Sequence, residues 1–255
     1  MGRRSIILLA ASALALSACV QTRQFADTEF RPPQGDYDLI VMRPNVQVGT
    51  VTTGGLVEPR AEWTEQARTN LLQALRQQQA GRGGRTTILE NREGIRGVSA
   101  DQVADLERLF LAVGNSIIVH RYAGLHLPTK RRRELDWTLG EEAVRFGQAT
   151  DMDYALFLHA ENSIASSGRT ALQVIGIAGC FIGFCAPNIG GGGQQAYASL
   201  VDLRTGEVVW FNILQVGSQL PGVQLGDIRT PEGAAQLVER LLGRMREGRN
   251  VRRRQ

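Results

Sequence analysis

The chain has 255 residues, of which 43% are hydrophobic, and its formal net charge is +4. This length and composition fit one large globular domain or two small ones with an ample core. Lys130 is the only lysine and lies in a charged run, which excludes chemistry that needs a lysine in an apolar pocket.

The amino terminus has the pattern of a secretory signal. Arg3 and Arg4 precede an apolar run over residues 6–16, which is too short to span a bilayer. The sequence Leu16-Ser17-Ala18-Cys19 resembles the lipobox of bacterial lipoproteins. That resemblance implies cleavage before Cys19 and a diacylglycerol unit on its sulfur. The alternative is an ordinary signal peptide with a chance cysteine at its end.

The residues after Cys19 bear on the compartment. Val20 stands where, among lipoproteins of this kind, an aspartate resembles an inner-membrane retention signal, so the sequence favours the outer membrane. Residues 19–35 are polar at first and then contain prolines and a glycine, a composition typical of a tether. Removal of the signal at residues 1–18 leaves 27 basic against 25 acidic residues, a balance of +2. We expect a lipid-anchored chain in the cell envelope that faces the periplasm.

Hydrophobic periodicity predicts a folded domain over residues 36–246. Strands are predicted at residues 37–42, 86–90, 153–162, 195–203 and 207–214. Helices are predicted at residues 63–79, from residue 99, at 138–149 and from residue 230, while residues 46–59 fit either a short hairpin or a loop. This order predicts an α+β fold in which helices pack on a mixed β-sheet in a single layered domain.

Short polar patterns mark the predicted helix starts. Ser99 with Gln102 fits a capping box, in which two side chains satisfy free backbone donors, and Thr138 with Glu141 fits a second. Thr230 is a favoured capping residue and is followed by a proline and an acid, both of which suit the first turn of a helix.

The predicted strands have two distinctive features. In the longest one, Leu156 and Leu158 alternate with Ala155 and Phe157, which predicts a central strand buried on both faces. Gly206 lies between the last two strands and predicts a hairpin with a bulged turn, because glycine tolerates a positive φ.

Two segments resemble the CsgG-like periplasmic lipoproteins, which include the curli-secretion lipoprotein, LpoB-like activators and the amino-terminal domain of TolB. They are Tyr197-Ala198-Ser199-Leu200-Val201-Asp202-Leu203-Arg204-Thr205-Gly206-Glu207-Val208-Val209-Trp210, which resembles the closing hairpin, and Asp153-Tyr154-Ala155-Leu156-Phe157, which resembles the preceding central strand. A third, Leu135-Asp136-Trp137-Thr138-Leu139-Gly140, resembles a variant found in uncharacterised proteobacterial lipoproteins. The resemblance implies a shared fold over residues 36–246 and an envelope location. It brings no catalytic residue, because those relatives act as scaffolds, channels or protein activators.

The residue types that usually carry catalysis or bind metals form no recognisable site in the sequence. His120 and His126 are six residues apart with no cysteine nearby, and His159 lies within a predicted strand, so we interpret all three as structural. Glu141 and Glu142 are adjacent on a predicted helix and diverge. We predict a non-enzymatic protein without metal or cofactor. A hydrolase whose site is assembled from distant residues is the alternative.

Residues 174–186 carry no charged side chain and include Cys180 and Cys185. An even cysteine pair in an oxidising compartment fits a disulfide, and two buried thiols are the alternative. The segment either packs on the protein's own surface or contacts lipid or another subunit. The candidate contact residues are Val174, Ile175, Ile177, Phe181, Ile182 and Phe184.

Residues 247–255 form a basic tail. The tail either is a solvated helix end or contacts an anionic surface such as lipid headgroups or wall polymer. Its candidate contact residues are Arg249, Arg252, Arg253 and Arg254. Nucleic acid is excluded as a routine partner, because an exported chain does not meet it.

The sequence therefore predicts a non-enzymatic envelope lipoprotein that acts as a periplasmic binding, scaffold or assembly accessory protein. Its expected partners are the membrane, through lipid on Cys19, and an envelope protein or peptidoglycan. A homo-oligomeric component of secretion or outer-membrane assembly is the alternative.

Overall fold

A computed structural model of the chain describes residues 21–26, 37–80, 85–93, 95–130, 135–172, 192–217 and 226–246. The strands are β1 Gln21–Ala26, β2 Leu39–Val41, β3 Asn45–Val51, β4 Val57–Pro59, β5 Thr86–Ile88, β6 Tyr154–Ala165, β7 Gly192–Asp202 and β8 Val208–Gly217. The long helices are α1 Ala61–Gln79, α2 Ala100–Arg121, α3 Gly140–Thr150 and α4 Pro231–Arg246. A short helical segment covers residues 167–172. The predicted α+β class is confirmed.

All eight strands belong to one mixed sheet in the order β1-β8-β7-β6-β2-β5, with β3 pairing β6 and β4 pairing β3. Along β1, β8, β7 and β6 each strand is antiparallel to its neighbour, whereas β2 and β3 run parallel to β6. Both β2 and β3 lie on the same side of β6: β2 pairs its beginning and β3 pairs its end. Pro44 separates them, and its missing N–H suits the break between the two ladders.

The core has two layers because β6 is apolar on both faces, as predicted. Leu156 and Leu158 pack on one face with the apolar stripes of α1 and α4. Ala155 and Phe157 pack on the other face with α2 and α3. The aromatic ring of Phe110 from α2 lies 4.9 Å from the ring of Phe157. Burial of these two apolar layers holds the helices to the sheet.

Two of the three predicted helix starts are correct. The capping box of Ser99 and Gln102 is present at the start of α2, and the hydroxyl of Thr230 accepts the backbone N–H of Gly233 at 3.1 Å. The capping box at Thr138 is wrong, because α3 begins at Gly140 without a side-chain cap. The Thr138 hydroxyl instead donates to the carbonyl of Gly206 at 2.9 Å, which binds it to the turn between β7 and β8.

The predicted tether needs a correction. Residues 21–26 lie within the segment assigned to a tether, but they form β1. Every residue of β1 pairs with a residue of β8, over positions 210–215. An edge strand is held by backbone hydrogen bonds, so a polar stretch without apolar alternation pairs there as well as an apolar one. Residues 46–59 form a hairpin rather than a loop, with Gly55 at φ 91° in the turn between β3 and β4. In the described ranges, no helix has the length and apolar character needed to cross a bilayer.

Candidate functional site

One end of the sheet carries a row of amide and carboxylate side chains. Gln47 of β3, Glu161 of β6, Gln195 of β7 and Gln215 of β8 are successive partners in the strand register. The Gln215 amide donates from Nε2 to Oε1 of Gln195 at 2.8 Å. This row, with the strand termini beyond it, is called the amide end of the sheet.

Small residues follow the row on the same face. Two positions further along each strand, Gly49, Ser163, Gly193 and Gly217 are again in register. A Cβ atom on Gly49 would lie 2.8 Å from the carbonyl oxygen of Glu58, so β4 approaches β3 too closely for a side chain there. The strands of the amide end therefore expose mostly backbone beyond the amide row.

A cleft of about 820 Å³ opens at the amide end, between the β3–β4 hairpin, the start of α1 and the ends of β6, β7 and β8. Val57, Pro59 and Thr64 contribute to one side. Glu161 is the only charged residue among those that line the cleft in the described ranges. The polar groups on its wall are otherwise amides and hydroxyls, which both donate and accept hydrogen bonds. A neutral polar ligand or a peptide backbone matches such a wall better than an anion does.

Two buried amides lie side by side at the cleft. Asn162 and Gln194 are partners in the β6–β7 register and are 2% and 4% exposed. Gln194 donates to the carbonyl of Gly226 at 3.2 Å. Within the described part of the chain, no side chain or backbone group hydrogen-bonds the nitrogen or the oxygen of the Asn162 amide. A buried unpaired amide costs about 1–3 kcal/mol, so Asn162 is a local cost to stability at this wall.

A histidine supports the single charged group of the cleft. His159 is 5% exposed, and its two ring nitrogens contact Asn45 Oδ1 at 2.9 Å and Glu161 Oε1 at 3.1 Å. Each ring nitrogen therefore has a polar partner on a neighbouring side chain. The hydrogen bond with His159 holds the pKa of the Glu161 carboxyl below its ordinary value.

The histidine ring also packs into the core. Its centroid lies 4.9 Å from that of Tyr197, which contacts α2. Burial raises the pKa of the Tyr197 hydroxyl, so this side chain stays neutral. The group of His159, Asn45 and Glu161 is therefore a fixed hydrogen-bonded support for one wall of the cleft.

The opposite end of the sheet is charged, and its charges are paired. Asp38 accepts two hydrogen bonds from the Arg85 guanidinium, at 3.0 and 2.8 Å. Burial opposes ionisation of Asp202, but hydrogen bonds from Arg204 outweigh it and hold the pKa of this carboxyl below its ordinary value. These pairs stabilise turns. Across the described ranges, no group of three or more histidine, cysteine, aspartate or glutamate side chains is arranged to hold a metal ion.

Every contact residue predicted from the sequence lies outside the described residues. This holds for the anchor Cys19 and for the cysteine pair Cys180 and Cys185. It also holds for Val174, Ile175, Ile177, Phe181, Ile182 and Phe184 and for Arg249, Arg252, Arg253 and Arg254. The predictions made for them stay predictions.

The sequence analysis missed the residues of the cleft. Their signal is a loss of apolar alternation at strand ends: Glu161-Asn162-Ser163 in β6 and Gln194-Gln195 in β7 are consecutive polar residues in otherwise apolar strands. Consecutive polar residues in a central strand indicate a place where the sheet leaves its core.

No protein-family model and no curated protein matches the chain. Among solved structures it is similar to the PelC dodecamer from Paraburkholderia phytofirmans, at 12% identity over 87% of this chain and 96% of that one, with a TM-score of 0.36. The C-terminal domain of LpoB from Salmonella enterica matches at 14% identity over 73% and 87% of the two chains, with a TM-score of 0.26. Lipoprotein GNA1162 from Neisseria meningitidis matches at 14% identity over 82% and 96%, with a TM-score of 0.29. Similarities at these scores define neither a shared function nor a shared assembly.

Proposed function

We propose that this chain is an accessory lipoprotein of the bacterial envelope, held to the outer membrane by lipid on Cys19 and acting by binding. The observation that carries the proposal is the lipobox-like sequence Leu16-Ser17-Ala18-Cys19 behind a charged and apolar leader. Lipid attached there provides more than one acyl chain, which stable anchoring requires. The folded domain then lies in the periplasm.

The cleft at the amide end is the proposed binding site. Its wall combines apolar side chains such as Val57 with amides and hydroxyls, the usual mixture at sites that hold a neutral ligand or a peptide. Among the lining residues that the structure describes, Glu161 alone is charged, and its hydrogen bond with His159 gives it a structural role. The proposed partner is an envelope protein or peptidoglycan, whose peptide amides pair with the same groups.

Site-specific cross-linking in intact cells tests this proposal. A photoreactive amino acid replaces Gln47, which is exposed beside the cleft, or Glu141, which is exposed at the start of α3. We expect the residue at position 47 to capture an envelope protein or a peptidoglycan fragment that position 141 does not capture. Capture of cytosolic proteins at position 47, or the same products from both positions, would contradict the proposal.

A further inference from the structure

The strand register places the start of β1 at the amide end. Gln21 pairs with Gln215, the β8 member of the amide row. Cys19 precedes Gln21 by two residues, and two residues span at most roughly 7 Å. A lipid on Cys19 is therefore held close to the amide end, whatever path residues 19 and 20 take.

Exposed apolar side chains lie at the same end. Leu56 and Val57, at the tip of the β3–β4 hairpin, are 74% and 56% exposed, and Leu172 is 36% exposed. The pairing of Val51 with Ala165 puts the hairpin tip beside the helical segment 167–172. Leu56, Val57 and Leu172 are called the apolar tip.

The apolar tip is a built feature rather than a loose loop end. The guanidinium of Arg169, in the helical segment, donates to the carbonyl of Thr52 at 3.2 Å. The backbone N–H of Thr52 donates to the carbonyl of Leu56 at 2.8 Å, and the Thr52 hydroxyl accepts the N–H of Leu56 at 3.1 Å. In water, holding an exposed leucine in place brings no favourable free energy. A fixed leucine that contacts lipid instead removes its apolar surface from water.

The reach of the apolar tip beyond the amide row can be read from the register. Val57 pairs with Val51, four residues beyond Gln47. At about 3.3 Å per residue, the tip extends roughly 13 Å beyond the amide row. Because two residues span at most roughly 7 Å from Gln21 to Cys19, the tip reaches at least roughly 6 Å further than the anchor. This matches the depth of about 5–10 Å to which interfacial segments bury apolar side chains.

The anchor and the apolar tip also lie at opposite edges of the sheet end. The strands β8, β7 and β6 separate β1 from β3, so four strand spacings, roughly 19 Å, lie between the two contacts. Two separated contacts with the membrane fix the orientation of the domain, whereas a single flexible lipid leaves the domain free to rotate.

We propose that the amide end faces the bilayer and that the apolar tip enters its interface, so that the cleft opens beside the membrane surface. This inference rests on the lipid anchor of the proposed function. Arg169 then lies at the depth of the lipid phosphates, where a guanidinium is favourable. The charged end, with Asp38 and Arg204, points away from the membrane.

A second exposed leucine provides a matched control. Leu125, after α2, is 67% exposed, which is close to the value for Leu56. It lies away from the amide end, because the neighbouring His120 packs 6.0 Å from Trp137, whose carbonyl accepts the N–H of Val208 at the opposite end of β8. The proposed orientation keeps Leu125 in water.

The test uses the full-length chain purified from membranes and reconstituted into vesicles of phosphatidylcholine and phosphatidylglycerol. A photoreactive amino acid replaces Leu56 or Leu125, and lipid adducts are quantified by mass spectrometry after illumination. We expect at least severalfold more lipid adduct from position 56 than from position 125. Equal adducts, more adduct at 125, or dimers cross-linked through position 56 would overturn the proposed orientation.

Flotation of the same samples separates this inference from the proposed function. If the protein floats with the vesicles but positions 56 and 125 yield equal amounts of lipid adduct, the lipid anchor stands and the proposed orientation is contradicted. Protein that sediments without lipid contradicts the anchor itself. A Cys19→Ala form, added to the same vesicles, should show severalfold less adduct at position 56, because the apolar tip alone buries too few side chains for stable binding.

Discussion

Glu161 and His159 form a hydrogen-bonded pair at the cleft, where Glu161 is the only charged side chain among the described lining residues. The hydrogen bond with His159 holds the pKa of the Glu161 carboxyl below its ordinary value, and His159 contacts Asn45 in turn. The three side chains come from neighbouring strands in register, so they report on the integrity of the amide end. Acid should weaken this arrangement, because protonation of the carboxyl removes the charged acceptor.

The pH dependence of stability tests this pair. The pKa of Glu161 is lowered in the folded chain, so its contribution is present above the ordinary carboxyl pKa and is lost as the pH falls through the folded pKa. We expect Glu161→Gln to lower the melting temperature at neutral pH and to approach that of the wild type as the pH falls through the lowered pKa of Glu161. Melting temperatures measured from pH 7 to pH 3 provide the comparison.

Glu239→Gln is the control for this experiment. Glu239 is exposed on α4, away from His159, so its replacement should leave the pH dependence unchanged. A Glu161→Gln variant that differs from the wild type by the same amount at every pH would show that the ion pair does not contribute.

Single residues of the site were predictable only in part. The polar run Glu161-Asn162-Ser163 is visible in the sequence, and it marks the strand end that the cleft uses. The contact between His159 and Asn45 joins residues 114 positions apart, and strand register alone creates it. The sequence alone predicts only that His159 lies on a strand face, because the residue opposite it depends on the strand register.

At the scale of elements, one glycine determines how α2 docks on the sheet. A Cβ atom on Gly114 would lie 2.4 Å from Cε2 of Tyr197, well inside van der Waals contact. The missing side chain lets the helix backbone approach β7 closely enough for Phe110 to reach Phe157 and Tyr197. Tyr197 also packs on His159, so helix docking and the cleft wall share a residue.

Replacement of Gly114 by alanine should therefore destabilise the chain. Overpacking of this kind typically costs about 1–3 kcal/mol, more than alanine gains in helix propensity. Gly243 in α4 has nothing within 4 Å of its Cβ position, so Gly243→Ala should stabilise the chain by about 1 kcal/mol. Urea denaturation of both variants measures the difference. Equal denaturation midpoints for the two variants would mean that α2 moves to accommodate the alanine at position 114 without a loss of stability.

Elements with an apolar stripe were predictable, and polar or short ones were not. The helices α1 and α4 and the strand β6 follow from spacing alone, because each buries a continuous apolar face. The pairing of β1 with β8 rests on backbone bonds, which leave no pattern in side chains. The start of α3 was misread because Leu139, not Thr138, precedes the helix; the Thr138 hydroxyl accepts the N–H of Gly140 and donates to the carbonyl of Gly206 in the turn between β7 and β8.

At the scale of the whole molecule, strand direction brings distant parts of the chain to one end. The start of β1, the hairpin between β3 and β4, and the ends of β6 and β8 all meet at the amide end. The apolar residues 174–186, for which packing on the protein's own surface and contact with lipid or a subunit are both open, lie outside the described residues. The apolar tip and the cleft thus share one side of the domain with the start of β1.

The mass of the amino-terminal peptide, from protein extracted from membranes, tests the central claim most directly. The account predicts a chain that begins at Cys19 and carries a diacylglycerol unit on the sulfur, with residues 1–18 absent. A chain that begins at Met1 and has an unmodified Cys19 would contradict it.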